Sequence, residues 1–234
     1  SAPGDLPFDP ALLSFEYPFR RESALPAKLT ATQLKGRLLD QEIAENAAHT
    51  PYLRPLSQPK FRREQRGLTP AERGSATHLV LQYLDFQNPD VAAQTAALAQ
   101  RGLLTSQQAQ AVDLPALSRL LASPLAEEIR RSPRCLREYR FTLLVPAREY
   151  DPRASGEDAV LLQGVADLCF QTPRGLAIVD FKTDRVFTPE EIAARAQLYR
   201  PQLEAYSLAL ARVLETPVSR RILYFLAPGR ALEL

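Results

Sequence analysis

Several residue types that mark particular protein classes are scarce in this chain of 234 residues. It has 2 cysteines, which are too few for a disulfide-stabilised scaffold, a four-cysteine zinc site or an iron–sulfur cluster held by this chain alone. Its 9 glycines exclude a collagen-like repeat, and no apolar run approaches the roughly 18 residues of a membrane-spanning helix. With 45% hydrophobic residues, the chain can bury a core in one large domain or two small ones.

Methionine is also absent, so the chain carries no initiator. Residues 1–27 are rich in proline, which favours an extended linker, and they show no basic segment of a signal peptide. We therefore expect a segment of a longer polypeptide, with a linker over 1–27 and one domain over 28–234. Because nothing points to an oxidising compartment, the expected location is the cytoplasm.

Charge of one sign does not dominate, since the net charge is +2. The basic residues nevertheless form two clusters. The first cluster lies within residues 54–66 and includes Arg62 and Arg63, and the second lies within residues 130–140. Such clusters suit a phosphate backbone, but an ordinary solvated surface can look the same, so both readings remain open.

The first part of the domain, residues 28–132, is predicted to be mainly helical. A helix is expected to begin at Thr30. A stronger signal, Thr69-Pro70-Ala71-Glu72, combines an N-cap threonine, a proline at the first helical position and a capping-box glutamate. Residues 90–130 predict two or three short helices, with breaks near two prolines, Pro115 and Pro124.

The second part, residues 133–234, predicts the order β-β-β-α-β. A second start signal, Thr188-Pro189-Glu190-Glu191, begins a helix that reaches about Leu214 and is expected to be interrupted or restarted at Pro201. Together with the helices before it, this order predicts an α/β fold with a central mixed sheet flanked by helices. The predicted strands cover residues 137–146, 159–170, 175–182 and 219–227.

Two aspartates stand inside otherwise apolar strands, where a carboxylate is costly unless a cation or a donor compensates it. If residues 172–175 form the turn, Asp167 lies directly opposite Asp180, with Cβ atoms roughly 4.5–5.5 Å apart. Strict alternation places Lys182 on the same face as Asp180, and Cys169 on the same face as Asp167.

Two carboxylates at that distance repel each other unless a divalent cation lies between them or one is protonated. Oxygen-rich sites suit Mg²⁺ or Mn²⁺. The ammonium of Lys182 could then hold an attacking water and neutralise charge that develops on a phosphate. The plainer alternative is that Asp167 caps a turn while Asp180 and Lys182 form a surface ion pair.

The segment from Gly164 to Tyr206 resembles the RecB-like branch of the PD-(D/E)XK nucleases. Gly164-Val165-Ala166-Asp167 matches its GxxD-type motif, and Asp180-Phe181-Lys182-Thr183 matches a DYKT-type form of D-x-K with phenylalanine in place of the commoner tyrosine. Gln202 and Tyr206 match its QxxxY motif, and His78 matches an upstream helical histidine. With residues 28–35 and 137–141 included, the chain is similar to the C-terminal nuclease domain of the A subunits of AddAB-type helicase–nucleases.

This resemblance implies a restriction-endonuclease-like core and a metal-dependent deoxyribonuclease of the exonuclease type. It implies that His78, Asp167, Asp180 and the backbone carbonyl of Phe181 hold Mg²⁺ or Mn²⁺, and that Asp167, Asp180 and Lys182 are catalytic. Gln202 and Tyr206 would position phosphate if they are aimed at the site, whereas the plainer alternative is that they pack on the sheet. The first basic cluster, in turn, makes Arg62 and Arg63 candidates for DNA contact. Glu138 remains open between a strand-end salt bridge and a residue that supports the metal ligands.

The resemblance also implies a role in the recombinational repair of double-strand breaks in a bacterial, nucleoid-associated machine. The expected partners are single-stranded DNA or an unwound duplex end, a helicase domain upstream in the same polypeptide and a B-type nuclease subunit, without a membrane. The chain has no G-x-x-x-x-G-K-[ST] loop, so we expect no ATP site in it, and no iron–sulfur cluster.

Two alternatives remain for the function. One is a nuclease-fold module that has lost catalysis and only binds DNA or a partner, which the intact D…D-x-K disfavours. The other is a stand-alone RecB-like exonuclease, which the missing methionine and the proline-rich lead-in disfavour.

Overall fold

A computed structural model of the chain describes residues 28–30, 67–149 and 157–234. The linker over 1–27, the helix expected after Thr30 and the first basic cluster with Arg62 and Arg63 lie outside these ranges. Within them, the chain forms a mixed six-stranded sheet with helices on both faces, which confirms the predicted α/β class. None of the helices in these ranges is both long and apolar enough to cross a membrane.

The helices of the described ranges carry the labels α1 to α6 and the strands β1 to β6. The helices are α1 (Pro70–Tyr83), α2 (Val91–Gln100), α3 (Ser106–Ala111), α4 (Leu114–Leu121), α5 (Pro124–Arg131) and α6 (Pro189–Val213). The strands are β1 (Lys28–Thr30), β2 (Cys135–Pro146), β3 (Ala159–Thr172), β4 (Gly175–Lys182), β5 (Val218–Phe225) and β6 (Arg230–Glu233). The four predicted strands are confirmed as β2 to β5, whereas β1 and β6 are additional, because three or four residues carry too little pattern to predict a strand.

Both helix-start signals form complete capping boxes. The Thr69 hydroxyl accepts a hydrogen bond from the backbone N–H of Glu72, whose carboxylate accepts one from the backbone N–H of Thr69. Thr188 and Glu191 make the same pair of bonds at the start of α6. These boxes satisfy N–H groups that the first turn leaves without helical partners, so the sequence locates both helix starts.

The short helices between residues 90 and 131 number four, α2 to α5, rather than two or three. The breaks expected near Pro115 and Pro124 are confirmed, because α3 and α4 end just before them. Each proline lies in the first turn of the next helix, where its missing N–H is not needed. The side chains of Asp113 and Ser123 cap these helices, each accepting a hydrogen bond from a backbone N–H three residues ahead.

Helix α6 continues through Pro201 without interruption, so the expected break there is wrong. Pro201 is exposed, as is Gln197, whose carbonyl loses its helical partner and can bind water instead. The opposite side of the helix packs on the sheet through buried residues on both sides of the proline, among them Tyr199, Leu203 and Tyr206. This packing keeps α6 one continuous helix through Pro201.

The sheet separates two layers of helix. Alternate residues of β4 contact opposite layers: Val179 and Phe181 pack with α1, α4 and α5, whereas Ile178 packs with α6. The same alternation places Asp180 and Lys182 on the α6 face. Leu223 and Phe225 of β5 extend that face against the first turns of α6.

The pairing of β3 creates a gap in the sheet. Strand β2 pairs with β3 from Ala159 to Phe170 along one edge, so β1 and β4 must both use the other edge. Strand β1 pairs with residues 161–163 of β3, and β4 pairs with residues 168–172. Residues 164–167 therefore face the space between β1 and β4.

Strict alternation fails within this stretch, so the prediction that Asp167 and Cys169 share a face does not hold. Ala166 and Cys169 both pack on the α6 side, although they are three residues apart. On β2, Glu138 occupies the position opposite Asp167, but the two residues do not form a ladder pair, although the pairs on either side of them do. Glu138 also adopts a left-handed φ of 46°. A kink in both strands at the same rung thus redirects the two carboxylates.

Candidate active site

An open cleft of about 620 Å³ lies at the gap between β1 and β4. It brings together six of the predicted site residues and six others. The lining residues are His78, Arg140, Phe141, Thr142, Gln163, Gly164, Val165, Asp167, Asp180, Lys182, Gln202 and Tyr206.

Asp167 joins β3, β4 and α1. Its Oδ2 atom accepts a hydrogen bond of 2.8 Å from the backbone N–H of Phe181 and lies 3.5 Å from Nδ1 of His78. The predicted turn register is confirmed, because Thr172 pairs with Gly175 and Leu168 with Val179. The ladder ends there, so the Asp167 side chain takes the Phe181 N–H that a further backbone pair would have used.

Asp180 and Lys182 are buried at 3% and 7% exposure. The Lys182 ammonium pairs with Oδ2 of Asp180, lies 3.4 Å from Oε1 of Gln202, and stands 3.9 Å from the ring centroid of Tyr199. The alternative of a surface ion pair is therefore wrong. Since burying these charges costs free energy, the contacts around them must fix their positions.

Gln202 and Tyr206 lie one helical turn apart on the buried face of α6. Nε2 of Gln202 donates a hydrogen bond to the Tyr206 hydroxyl, which leaves Oε1 of Gln202 to accept from Lys182. The Tyr206 ring packs edge-on against Phe141 over Gly164, where an added Cβ would meet the Phe141 ring at 2.4 Å. The glycine of the GxxD-type motif therefore lets both rings approach β3.

His78 lies on α1, four residues after Gly74, and points at the kinked rung of β3. Burial opposes charging of the imidazole, but the hydrogen bond to Asp167 and the charge of Asp167 outweigh it and raise the pKa of His78 above its usual value. Burial also opposes the charged form of Asp167, which raises its pKa. The contacts with His78 and with the Phe181 N–H outweigh this effect and hold the pKa of Asp167 below its ordinary value.

Glu138 is the fourth residue of β2, and none of the described residues forms a salt bridge with it. The strand-end salt bridge expected as one of its two roles is therefore absent from the described part of the chain. Burial and the nearby charge of Asp167 raise the pKa of Glu138. Glu138, His78 and Asp167 each offer one ligand atom, and these atoms lie within 4.8 Å of one another.

This donor set fits a divalent metal ion. Carboxylate oxygens suit Mg²⁺ and Mn²⁺, and a neutral imidazole adds a nitrogen ligand that Mn²⁺ accepts more readily. Asp180 lines the same cleft and contributes a further carboxylate. When ionised, the carboxylates of Glu138, Asp167 and Asp180 carry more negative charge than Lys182 neutralises, and a cation would balance the rest.

The backbone of Phe181 faces the same gap. In a strand, the N–H and C=O of one residue point to the same edge, and the Phe181 N–H points to Asp167. The neighbouring carbonyl of Lys182 points the other way, since it accepts from Leu226 N–H beyond β5. The Phe181 carbonyl is thus directed towards the β3 side, while its ring is buried against Tyr224.

Tyr199 is a site residue that the sequence reasoning missed. Its ring lies beside the Lys182 ammonium, and its hydroxyl donates to both carboxylate oxygens of Asp184 at 3.0 and 3.1 Å. The helical spacing offered a signal, because Tyr199 precedes Gln202 by three residues and Tyr206 by seven, which places all three on one face.

The second basic cluster is divided between structural and exposed arginines. Arg130 binds Glu127 and the carbonyls of Phe86 and Leu121, and Arg137 binds the carbonyls of Gln82 and Leu84. Arg131 pairs with Glu127. Among these described arginines, the side chains of Arg134 and Arg140 bind neither a carboxylate nor a carbonyl, and Arg140 lines the cleft.

Comparison with known proteins places the chain in a family. The sequence profile of the PD-(D/E)XK nuclease superfamily matches residues 50–232. The chain is 35% identical over 226 residues to the A-type subunit of an ATP-dependent helicase/nuclease from Acetivibrio thermocellus, covering 94% of this chain and 18% of that protein.

Two further relatives have the same name. The one from Desulforudis audaxviator is 38% identical over 227 residues, again with 94% of this chain and 18% of that protein covered. The one from Moorella thermoacetica is 38% identical over 231 residues, with 93% and 16% covered. The chain therefore spans less than a fifth of the length of these relatives.

Proposed function

Because the chain belongs to the PD-(D/E)XK nuclease superfamily, we propose that its cleft hydrolyses phosphodiester bonds of DNA with Mg²⁺ or Mn²⁺ as the cofactor. The observation that carries the proposal is the convergence of His78, Asp167, Asp180 and Lys182 in one cleft, from the β3–β4 hairpin and a helix far from it in sequence. This is the arrangement that a metal-assisted attack of water on a phosphate requires.

The ligands of the metal would be His78, Asp167, Asp180 and the Phe181 carbonyl, with Glu138 as a further carboxylate. A divalent ion bound there supplies a Lewis acid that polarises a phosphoryl oxygen and makes bound water more acidic. The hydrogen bond from Phe181 N–H and the contact with His78 keep Asp167 ionised and fix its orientation.

Lys182 would act on the reacting groups directly. Its ammonium contacts Asp180, Gln202 and the ring of Tyr199. These contacts fix the position of the charge, which a lysine in solvent would not have. It can donate a hydrogen bond to the attacking water and neutralise charge that develops on the phosphate. Gln202 and Tyr206 would position the phosphate from the α6 side.

The setting of this activity is also part of the proposal. The relatives are named as parts of helicase/nucleases, and most of their length lies outside the matched region. We infer a parent polypeptide that carries a helicase domain, trims DNA ends as an exonuclease during repair of double-strand breaks and works with a B-type subunit. The inactive-module alternative is disfavoured because every element of D…D-x-K is present in the cleft.

Cleavage of an end-labelled single-stranded oligonucleotide tests the proposal. The chain should cut it with Mg²⁺ or Mn²⁺ and stop when EDTA is in excess. Asp180→Asn keeps the size of the side chain but removes its charge, and it should lower the rate by at least about 100-fold. Full activity in EDTA, or binding of DNA without cleavage under every metal condition, would overturn the proposal.

A further inference from the structure

We propose that Arg140, together with Thr142 and Gln163, forms a subsite for the phosphodiester that neighbours the scissile one on the strand being cut. This inference rests on the nuclease function proposed above. All three side chains line the same cleft as the carboxylates, but they lie on β2 and β3 beyond the kink, towards β1.

The ladder between β2 and β3 sets the spacing of this subsite. Glu138 is in register with Asp167, Arg140 pairs with Val165, and Thr142 pairs with Gln163. A regular step of two residues advances about 7 Å along a strand, and the kinked step from Glu138 to Arg140 spans no more than that. This distance is comparable to one nucleotide of an extended single strand. A strand with one phosphate at the carboxylate rung would therefore bring its next phosphate to Arg140.

The charge of Arg140 is available for such a contact. It is exposed, lines the cleft and makes no ion pair with any carboxylate that the structure describes. Arg130 and Arg137, from the same basic cluster, are instead committed to backbone carbonyls. A guanidinium presents a planar fork of donors that matches phosphate oxygens.

The two polar neighbours add oriented donors. Nε2 of Gln163 donates a hydrogen bond of 3.1 Å to Oγ1 of Thr142, so the hydroxyl hydrogen of Thr142 is directed away from Gln163. Thr142 is exposed, and this hydrogen can be donated to a phosphate oxygen. The group contains no apolar wedge and no paired amide aimed at a base edge, so it favours backbone contact of any sequence.

Binding at several salt concentrations tests the charge. A fluorescent single-stranded oligonucleotide is titrated with three chains. The first carries Lys182→Ala alone, which is expected to leave the DNA intact, and the second carries Arg140→Gln in addition. The third is the matched control and adds Arg134→Gln to Lys182→Ala instead, since Arg134 is an exposed arginine of the same cluster outside the cleft. Arg140→Gln should reduce the slope of log affinity against log salt by about 0.7, and Arg134→Gln should leave it unchanged. Equal slopes for all three chains, or equal losses for both variants, would overturn the subsite.

Cleavage mapping tests the location. In a set of oligonucleotides, one phosphate at a time is replaced by a neutral methylphosphonate, and the products are mapped. The wild-type chain should cut the bond next to the neutral linkage about twofold to tenfold more slowly than the same bond in the unmodified oligonucleotide. The slowing should occur only when the neutral linkage lies on one particular side of the cut bond. The Arg140→Gln chain should lack that dependence. Equal dependence in both chains would overturn the inference.

The two failures can be told apart. No cleavage by the wild-type chain with either metal would overturn the proposed function. Normal cleavage with an unchanged salt slope in Arg140→Gln would overturn the subsite alone.

Discussion

Asp167 is the residue at which the contacts of three elements meet. It accepts from Phe181 N–H on β4, lies 3.5 Å from His78 on α1 and stands in register with Glu138 on β2. Because these contacts hold its pKa below the ordinary value, its carboxylate is ionised at neutral pH without help from a metal. A residue so placed can bind a cation without rearrangement.

His78 gives the site a pH dependence with two opposite signs. Without metal, the raised pKa means that protonated His78 stabilises the fold. This contribution is complete below about pH 6.5 and is lost as the pH rises through the folded-state pKa. Because a third of the side chain is exposed, we expect a contribution below about 1 kcal/mol, which corresponds to a Tm shift of at most about 2–4 °C.

Thermal unfolding in EDTA at pH 5.5 and pH 8.5 checks this prediction, with His78→Gln as the comparison. The wild-type advantage over His78→Gln should be larger at pH 5.5. Mn²⁺ affinity should have the opposite pH dependence, because the imidazole must be neutral to bind a metal. The affinity of the wild-type chain should therefore fall towards pH 5.5 more steeply than that of His78→Gln. A Tm difference that does not change with pH would contradict the contact between His78 and Asp167.

Tyr199 is expected to keep Lys182 in position through its ring. Tyr199→Phe keeps the ring and loses the hydroxyl that donates to Asp184, whereas Tyr199→Leu removes the ring. A buried cation–ring contact of up to about 2 kcal/mol predicts that Tyr199→Leu lowers kcat about tenfold or more with little change in KM. Tyr199→Phe should retain most of kcat. Equal losses in both variants would mean that the ring has no special role.

At the scale of elements, α6 shows how packing overrides local preference. A proline inside a helix costs about 3 kcal/mol in isolation, yet α6 stays continuous because its buried face packs on β3, β4 and β5. Its position matters for function, since α6 carries Tyr199, Gln202 and Tyr206 to the cleft.

Pro201→Ala should therefore stabilise the chain without moving the site. The restored hydrogen bond to the Gln197 carbonyl is offset in part by the greater freedom of the unfolded chain, so we expect a gain of about 1–2 kcal/mol. Urea unfolding measures the gain, and the unchanged metal-dependent rate is the control. A loss of stability would show that the proline fits a distortion of α6 that alanine does not maintain.

The kinked rung of β2 and β3 is the element that sequence periodicity could not predict. Alternation predicts that successive residues of a strand point to opposite faces of the sheet. This rule fails at the kinked rung, because Glu138 has a left-handed backbone and does not pair with Asp167. The register of β3 and β4 was predictable, since a four-residue turn fixes every later pair. Local signals thus specify pairing, while the direction of the two carboxylates depends on tertiary structure.

At the scale of the whole molecule, the sequence predicted the sheet, the helices that flank it and six residues of the cleft. It predicted the roles of the surface arginines less well. Capping boxes and apolar runs mark α1, α6 and the four longer strands because these signals are local. The arginines of the 130–140 cluster look alike in sequence, but Arg137 binds carbonyls at the end of α1 while Arg140 lines the cleft. Only the packing of α1 against β2 separates them.

The most direct test of the central claim is the single-turnover rate of cleavage by Lys182→Gln, measured over a full Mg²⁺ titration. If the carboxylates and His78 hold the metal while Lys182 acts on the reacting groups, the maximal rate should fall by at least about 100-fold. The metal concentration at half-maximal rate should stay within about threefold of the wild-type value. A variant that recovers the wild-type rate at high Mg²⁺, or that never loses it, would contradict this division of roles.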